Sequence, residues 1–141
     1  MNKSSRNLLF LVLFAIWPVT VLAAGPSTAD APVVATMGED GVQRLDIVGG
    51  EYFYKPNHIV VQVNKPVELR VKKQGGFIPH NIIVKAPEAG IDFKVELKDE
   101  FQTIRFTPTR TGKYEMYCDH RFLWFANHKE KGMDGMIEVV E

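Results

Sequence analysis

The sequence predicts an all-β fold, a Greek-key β-sandwich of seven or eight strands, on three observations. Short runs rich in β-branched and aromatic residues recur from residue 42 onward, turn residues punctuate them, and no run outside 121–131 keeps a helical period beyond a turn or two. That many short strands in one small domain bury their apolar faces by packing two sheets together.

The elements follow in order. Leu45-Asp46-Ile47-Val48 and Tyr52-Phe53-Tyr54 open the domain. Residues 58–63 form the next run, stopped by Asn64-Lys65-Pro66. Val67-Glu68-Leu69-Arg70-Val71 alternates apolar and charged side chains, the period of a half-buried strand, before Gln74-Gly75-Gly76 breaks it. Residues 81–84 are continuous in apolar bulk after Asn81, 91–97 and 101–106 alternate with charges, and 113–118 and 136–140 complete the set.

Residues 1–23 read as an export signal, in which Lys3 and Arg6 precede an apolar stretch that closes on small residues at Ala23 and Ala24. The expected location is therefore the periplasm. A retained anchor is the competing reading, because the stretch approaches bilayer-spanning length, and membrane contact is expected only in that case. Residues 24–41, mostly Ala, Pro, Ser, Thr and Gly, read as a flexible lead-in, and 42–141 as one domain. Without the signal the chain keeps 15 basic and 17 acidic residues, a balance that points away from nucleic acid. Lys72-Lys73 and the run 96–100 read as solvated strand ends with no assigned role.

Cys118 is the one cysteine, so an exported chain has no internal disulfide to make with it. Metal ligation would occupy the thiol; an intermolecular disulfide or a buried inert thiol are the alternatives. Two imidazoles, a thiolate and a thioether make the ligand set of a mononuclear electron-transfer copper site. Candidates for each are present: His80 after Pro79, Cys118 at a strand end, His120 or His128 downstream, and Met133 after Gly132. Taken singly, His80 reads as a surface histidine and Met133 as a core methionine, and His58 as a strand-start histidine with no metal role.

Several motifs stand in a fixed order. Tyr54-Lys55-Pro56 precedes Ile59-Val60-Val61, Pro79-His80-Asn81 leads into a strand, Phe106-Thr107-Pro108 and Thr111-Gly112-Lys113-Tyr114 lead to Tyr117-Cys118, and His128 precedes Gly132-Met133-Asp134-Gly135. In this order and spacing, residues 43–141 resemble the cupredoxins, the family of plastocyanin, pseudoazurin and azurin. The resemblance implies one copper ion cycling between Cu(I) and Cu(II) on His80, Cys118, His128 and Met133, with Met133 axial and the Asn81 side chain bonding across to the cysteine loop. It also favours His128 over His120, since the spacing from His128 to Met133 matches the family.

The chain departs from that pattern in one place. Nine residues separate Cys118 from His128, where the family has a few. Such lengthening costs only about 1 kcal/mol of closure entropy, which metal binding tolerates. Within it Phe122-Leu123-Trp124-Phe125 is a concentrated apolar run, read either as a cover that shields the metal or as a patch that docks a redox partner.

The expected function is a periplasmic one-electron carrier, not an enzyme, working with redox partners such as a cytochrome or a terminal oxidase. A copper-binding accessory or chaperone for an oxidase, and a copper enzyme with an open coordination position, are the alternatives. The binuclear copper centre of cytochrome oxidase subunit II is excluded, because it needs two bridging cysteines and this chain has one.

Overall fold

The computed structural model describes residues 31–121 and 127–141. The export-signal segment 1–23 and the run Phe122-Leu123-Trp124-Phe125 lie outside the described residues. Among the described residues eleven strands are formed: β1 (Val33–Val34), β2 (Thr36–Met37), β3 (Gln43–Gly50), β4 (Phe53–Lys55), β5 (His58–Gln62), β6 (Val67–Lys73), β7 (Asn81–Ala86), β8 (Ile91–Glu96), β9 (Gln102–Phe106), β10 (Gly112–Tyr117) and β11 (Asp134–Val140). Eight have five or more residues, within the seven or eight expected; short β4 falls on the run Tyr52-Phe53-Tyr54, and the excess is β1 and β2, each of two residues. Where a helical turn was conceivable, at 121–131, the described residues form a single β-bridge between Arg121 and Asn127 and then turns.

The strands form two sheets. One has the order β1-β5-β11-β10-β7-β8, and in the other β3 lies between β6 and the short β2 and β4, with β9 beyond β6. Alternation decides which side chains face inward. In β6, Val67, Leu69 and Val71 are buried while Arg70 points outward to Asp46 of neighbouring β3. These residues join Ile47, Ile59, Val61, Ile82, Val84, Ile91, Ile104, Met116, Ile137 and Val139 in one continuous core that also contains Tyr54, Cys118 and Met133. Gln43 is buried in the middle of this apolar surround, and its amide ties the sheets together: Nε2 donates to Gln62 O at 3.1 Å, and Oε1 accepts from Gln62 N at 2.6 Å.

The expectation of a flexible lead-in over 24–41 is corrected for 33–37. Strand β1 pairs parallel with β5, β2 pairs antiparallel with β3, and the chain crosses between the sheets at buried Ala35, whose N–H donates to Val60 O at 2.9 Å. The physical reason is that sheet edges offer unpaired backbone groups, and a segment of small residues satisfies them as well as any other.

Register brings four strand ends together. Tyr117 at the end of β10 pairs with Asp134 at the start of β11 and with Ile83 of β7, while Asn81 at the start of β7 pairs with Glu96 at the end of β8. The residues just beyond these ends, His80, Cys118 and Met133, therefore gather at one pole of the sandwich.

Candidate metal centre

His80 is the residue immediately before β7, and its place is fixed from three directions. Its carbonyl accepts from Leu97 N at 2.8 Å, the next carbonyl, Asn81 O, accepts the buried Tyr54 hydroxyl at 2.5 Å, and the Asn81 side chain reaches over to the residue after the cysteine. There Asn81 Nδ2 donates to Asp119 Oδ1 at 2.7 Å and Asn81 Oδ1 accepts from Asp119 N at 3.2 Å. The Asn81 N–H itself points at Cys118 Sγ, 3.5 Å away. Across the sandwich the close approach of backbone matters at Gly49, where a Cβ would stand 2.5 Å from Leu97 Cδ1 and 3.3 Å from Met133 Cε.

The long segment between Cys118 and His128 is closed at its base. His128 N donates to His120 O at 2.9 Å, and Arg121 and Asn127 form an antiparallel bridge. The insertion is thus pinched off, and His128 enters beside Cys118 much as a short loop would bring it. From His128 the chain turns tightly: His128 O accepts from both Lys131 N at 3.1 Å and Met133 N at 2.9 Å, Gly132 adopts φ 95°, and Met133 O accepts from Cys118 N at 3.1 Å. The Asn127 side chain starts this turn by accepting Glu130 N at 2.8 Å, with Glu130 bonding back to Asn127 N at 3.1 Å.

The result is a buried triad. The donor atoms of His80, Cys118 and His128 all lie within 4.8 Å of one another, with His80 Nδ1 3.1 Å from His128 Nδ1 and Cys118 Sγ 3.5 Å from the same atom. Burial, together with the neighbouring histidines and Lys73, pushes His80 down to about 4, and burial pushes His128 down as well. Both rings are neutral at pH 7 with lone pairs to offer. Burial also raises the Cys118 thiol, against the opposing pull of backbone N–H groups of Asn81 and His120. Met133 is fully buried, and its backbone bonds to both Cys118 and His128.

These residues fit a small thiophilic cation better than they fit each other. Two Nδ1 atoms facing across 3.1 Å share at most one proton, whereas both lone pairs could be used by a cation. A tetrahedral or trigonal ion about 2.0–2.3 Å from nitrogen and sulfur wants donors roughly 3.3–3.8 Å apart, close to the separations found. Binding would replace the thiol proton, so it would couple to pH.

His120 goes elsewhere. Its Nε2 lies 2.6 Å from Glu96 Oε2, and its ring centroid is 6.3 Å from that of His128. His58 pairs with Glu138 at 2.8 Å on the neighbouring strand β11, away from the triad. Two participants were missed in the sequence. Glu96, left without a role there, accepts from Asn81 Nδ2 at 3.3 Å as well as holding His120, and pairing across a strand not yet placed was its only signal. Tyr52 packs edge-on against His128, ring centroids 5.0 Å apart, and nothing in its local sequence marks it.

No family model matches the chain, and no curated protein matches it either. Solved structures do. The metal-binding domain of the Cu(I)-exporting P-type ATPase CopA of Streptococcus pneumoniae D39 is 26% identical with a TM-score of 0.60, over 79% of this chain and 97% of that domain. Auracyanin from Roseiflexus castenholzii is 19% identical with a TM-score of 0.57, over 76% and 99% of the two chains. The periplasmic domain of cytochrome oxidase subunit II of Bradyrhizobium japonicum is 18% identical with a TM-score of 0.50, over 70% and 83%. These likenesses show a cupredoxin-like, two-sheet fold, and the buried His80, Cys118 and His128 form a candidate site for one metal ion within it.

Proposed function

We propose that this chain is a one-electron carrier, exported to the periplasm by residues 1–23, whose single copper would be held by His80 Nδ1, His128 Nδ1 and Cys118 Sγ, with Met133 as a fourth, weak ligand. The observation that carries the reading is the convergence of two neutral imidazole nitrogens and the only thiol of the chain in one buried pocket. Bound copper supplies the one-electron couple. The protein's part is to hold the donors still: His80 is fixed by the start of β7, Cys118 and Met133 by their mutual backbone bond, and His128 by its bonds to His120 and Met133. Donors so held change little between oxidation states, and burial keeps water from entering the coordination sphere. Redox partners such as a cytochrome or a terminal oxidase are in keeping with the fold shared with an oxidase subunit domain.

The test is spectroscopic. Protein loaded with Cu(II) is expected to show an intense thiolate-to-copper band in the visible, and full loading without that band would sink the proposal. A second reading, transport of copper itself, is favoured by the likeness to the metal-binding domain of a Cu(I) exporter. Rapid Cu(I) transfer to an acceptor protein with slow electron exchange would select it.

A further inference from the structure

Tyr52 occupies a backbone conformation that a bulky residue rarely takes. It is the second residue of the two-residue turn between β3 and β4, with φ 68°, where glycine or asparagine is ordinary. A side chain kept at such a position at a cost has some compensating contact. The contacts of Tyr52 run to the metal site. Its ring stands edge-on to His128 at 5.0 Å and to His80 at 6.5 Å, with interplanar angles of 83° and 88°. Lys131, three residues after His128 in the same turn, donates from Nζ to the Tyr52 hydroxyl at 3.2 Å, and its ammonium sits 4.5 Å from the ring centroid. The turn also backs onto the Tyr52 main chain, since a Cβ at Gly132 would lie 3.9 Å from Tyr52 O.

We infer that Tyr52 is a positioning residue for the copper site, which clamps the His128–Met133 ligand turn and sets the angle of the His128 ring. The inference rests on the copper reading above and extends it to a residue outside the ligand set. The chemistry is that of a wedge. An aromatic edge placed against two imidazoles blocks their rotation, and the cation–π contact with Lys131 holds wedge and turn together. Ligand rings held from behind bind more tightly and reorganise less.

Two substitutions separate this role from a merely structural one. Tyr52→Phe keeps the ring, whereas Tyr52→Asn removes it and suits the left-handed backbone better than tyrosine does. In the metal-free protein, amide hydrogen exchange at Lys131, Gly132 and Met133 is expected to accelerate about tenfold in Tyr52→Asn and to stay within about twofold of the parent in Tyr52→Phe. In the loaded protein, Cu(I) release to a chelator is expected to speed by about tenfold in Tyr52→Asn, with altered electron paramagnetic resonance parameters for Cu(II), and Tyr52→Phe restores both. Exchange and release within twofold of the parent in Tyr52→Asn would overturn the inference. If that variant does not fold, Tyr52→Gly is read in the same way, and failure of both to fold overturns it too, because the role assigned is to the turn and not to the sandwich. A parent that binds copper without a thiolate band sinks the electron-carrier reading instead and leaves the exchange comparison standing.

Discussion

His80 and the donors on the Cys118–Met133 segment reach the same point by different means. His80 is held by the scaffold: its own carbonyl bonds to Leu97 and its neighbour Asn81 bonds to Tyr54 and to the cysteine loop, residues distant in sequence and mostly buried. His128 and Met133 are held by a turn whose backbone bonds to itself through His128 O, with the side chains of Lys129 and Lys131 reaching out to Glu115 of β10 and to Tyr52. The difference teaches where each kind of damage should appear. Changes beneath His80 should register in folding stability, and changes within the turn should register at the metal with the sandwich intact.

The largest effect expected is at the shared apex. Cys118→Ser should abolish the visible thiolate band while the metal-free protein keeps its β-sheet circular dichroism, because the smaller side chain leaves the core around it intact. His128→Ala should likewise lose the band, and a band that survived it but vanished in His120→Ala would break the assignment of ligands.

Acid separates the two sides next. His80 is pushed down to about 4 by burial, below the ordinary value near 6.5 that it regains on unfolding. In metal-free protein the unfolded chain therefore binds a proton that the folded one refuses, and stability is expected to fall as pH drops from 6.5 toward 4, by at most about 3 kcal/mol. Urea titrations at pH 7 and pH 4.5 check this, with His80→Gln expected to shrink the difference to the part that buried His128 supplies. Tyr54→Phe comes after it: Asn81 O loses its donor inside the core, a cost of about 1–3 kcal/mol in denaturant titration, with a smaller change in the copper spectrum. An effect on the spectrum alone would erase the distinction between scaffold and turn.

How much of this was legible in the sequence also follows the scaffold and the turn. Alternation in Val67-Glu68-Leu69-Arg70-Val71 marked β6 with its correct buried face, because a strand's period is local. The motif Pro79-His80-Asn81 and the pairing of Cys118 with a downstream histidine pointed to His80, Cys118 and His128, which the fold does bring together, since residues of one segment have short, readable separations. Strands β1 and β2 escaped, because their pairing is made by backbone groups at sheet edges and leaves little trace in side-chain pattern. Glu96 and Tyr52 escaped for a different reason: their roles exist only through register and through a turn conformation unusual for tyrosine, neither of which a single strand announces.

The smallest effect is expected where the chain departs most from its resemblance. The base of the long segment is already closed by the His128 N to His120 O bond at 2.9 Å and by the Arg121–Asn127 bridge, so what lies between residues 121 and 127 is not needed to place His128. Replacing 122–126 with Gly-Gly leaves two residues between the bridged pair, the length of a tight hairpin connection. Shortening the segment that far changes closure entropy by less than about 1 kcal/mol. The variant is expected to keep the thiolate band of the copper-loaded parent and its midpoint in urea within error, while the rate of electron exchange with a redox partner is free to change. Loss of the band would mean that the turn does not hold His128 by itself, and that the ligand segment depends on its insertion as His80 depends on the sandwich.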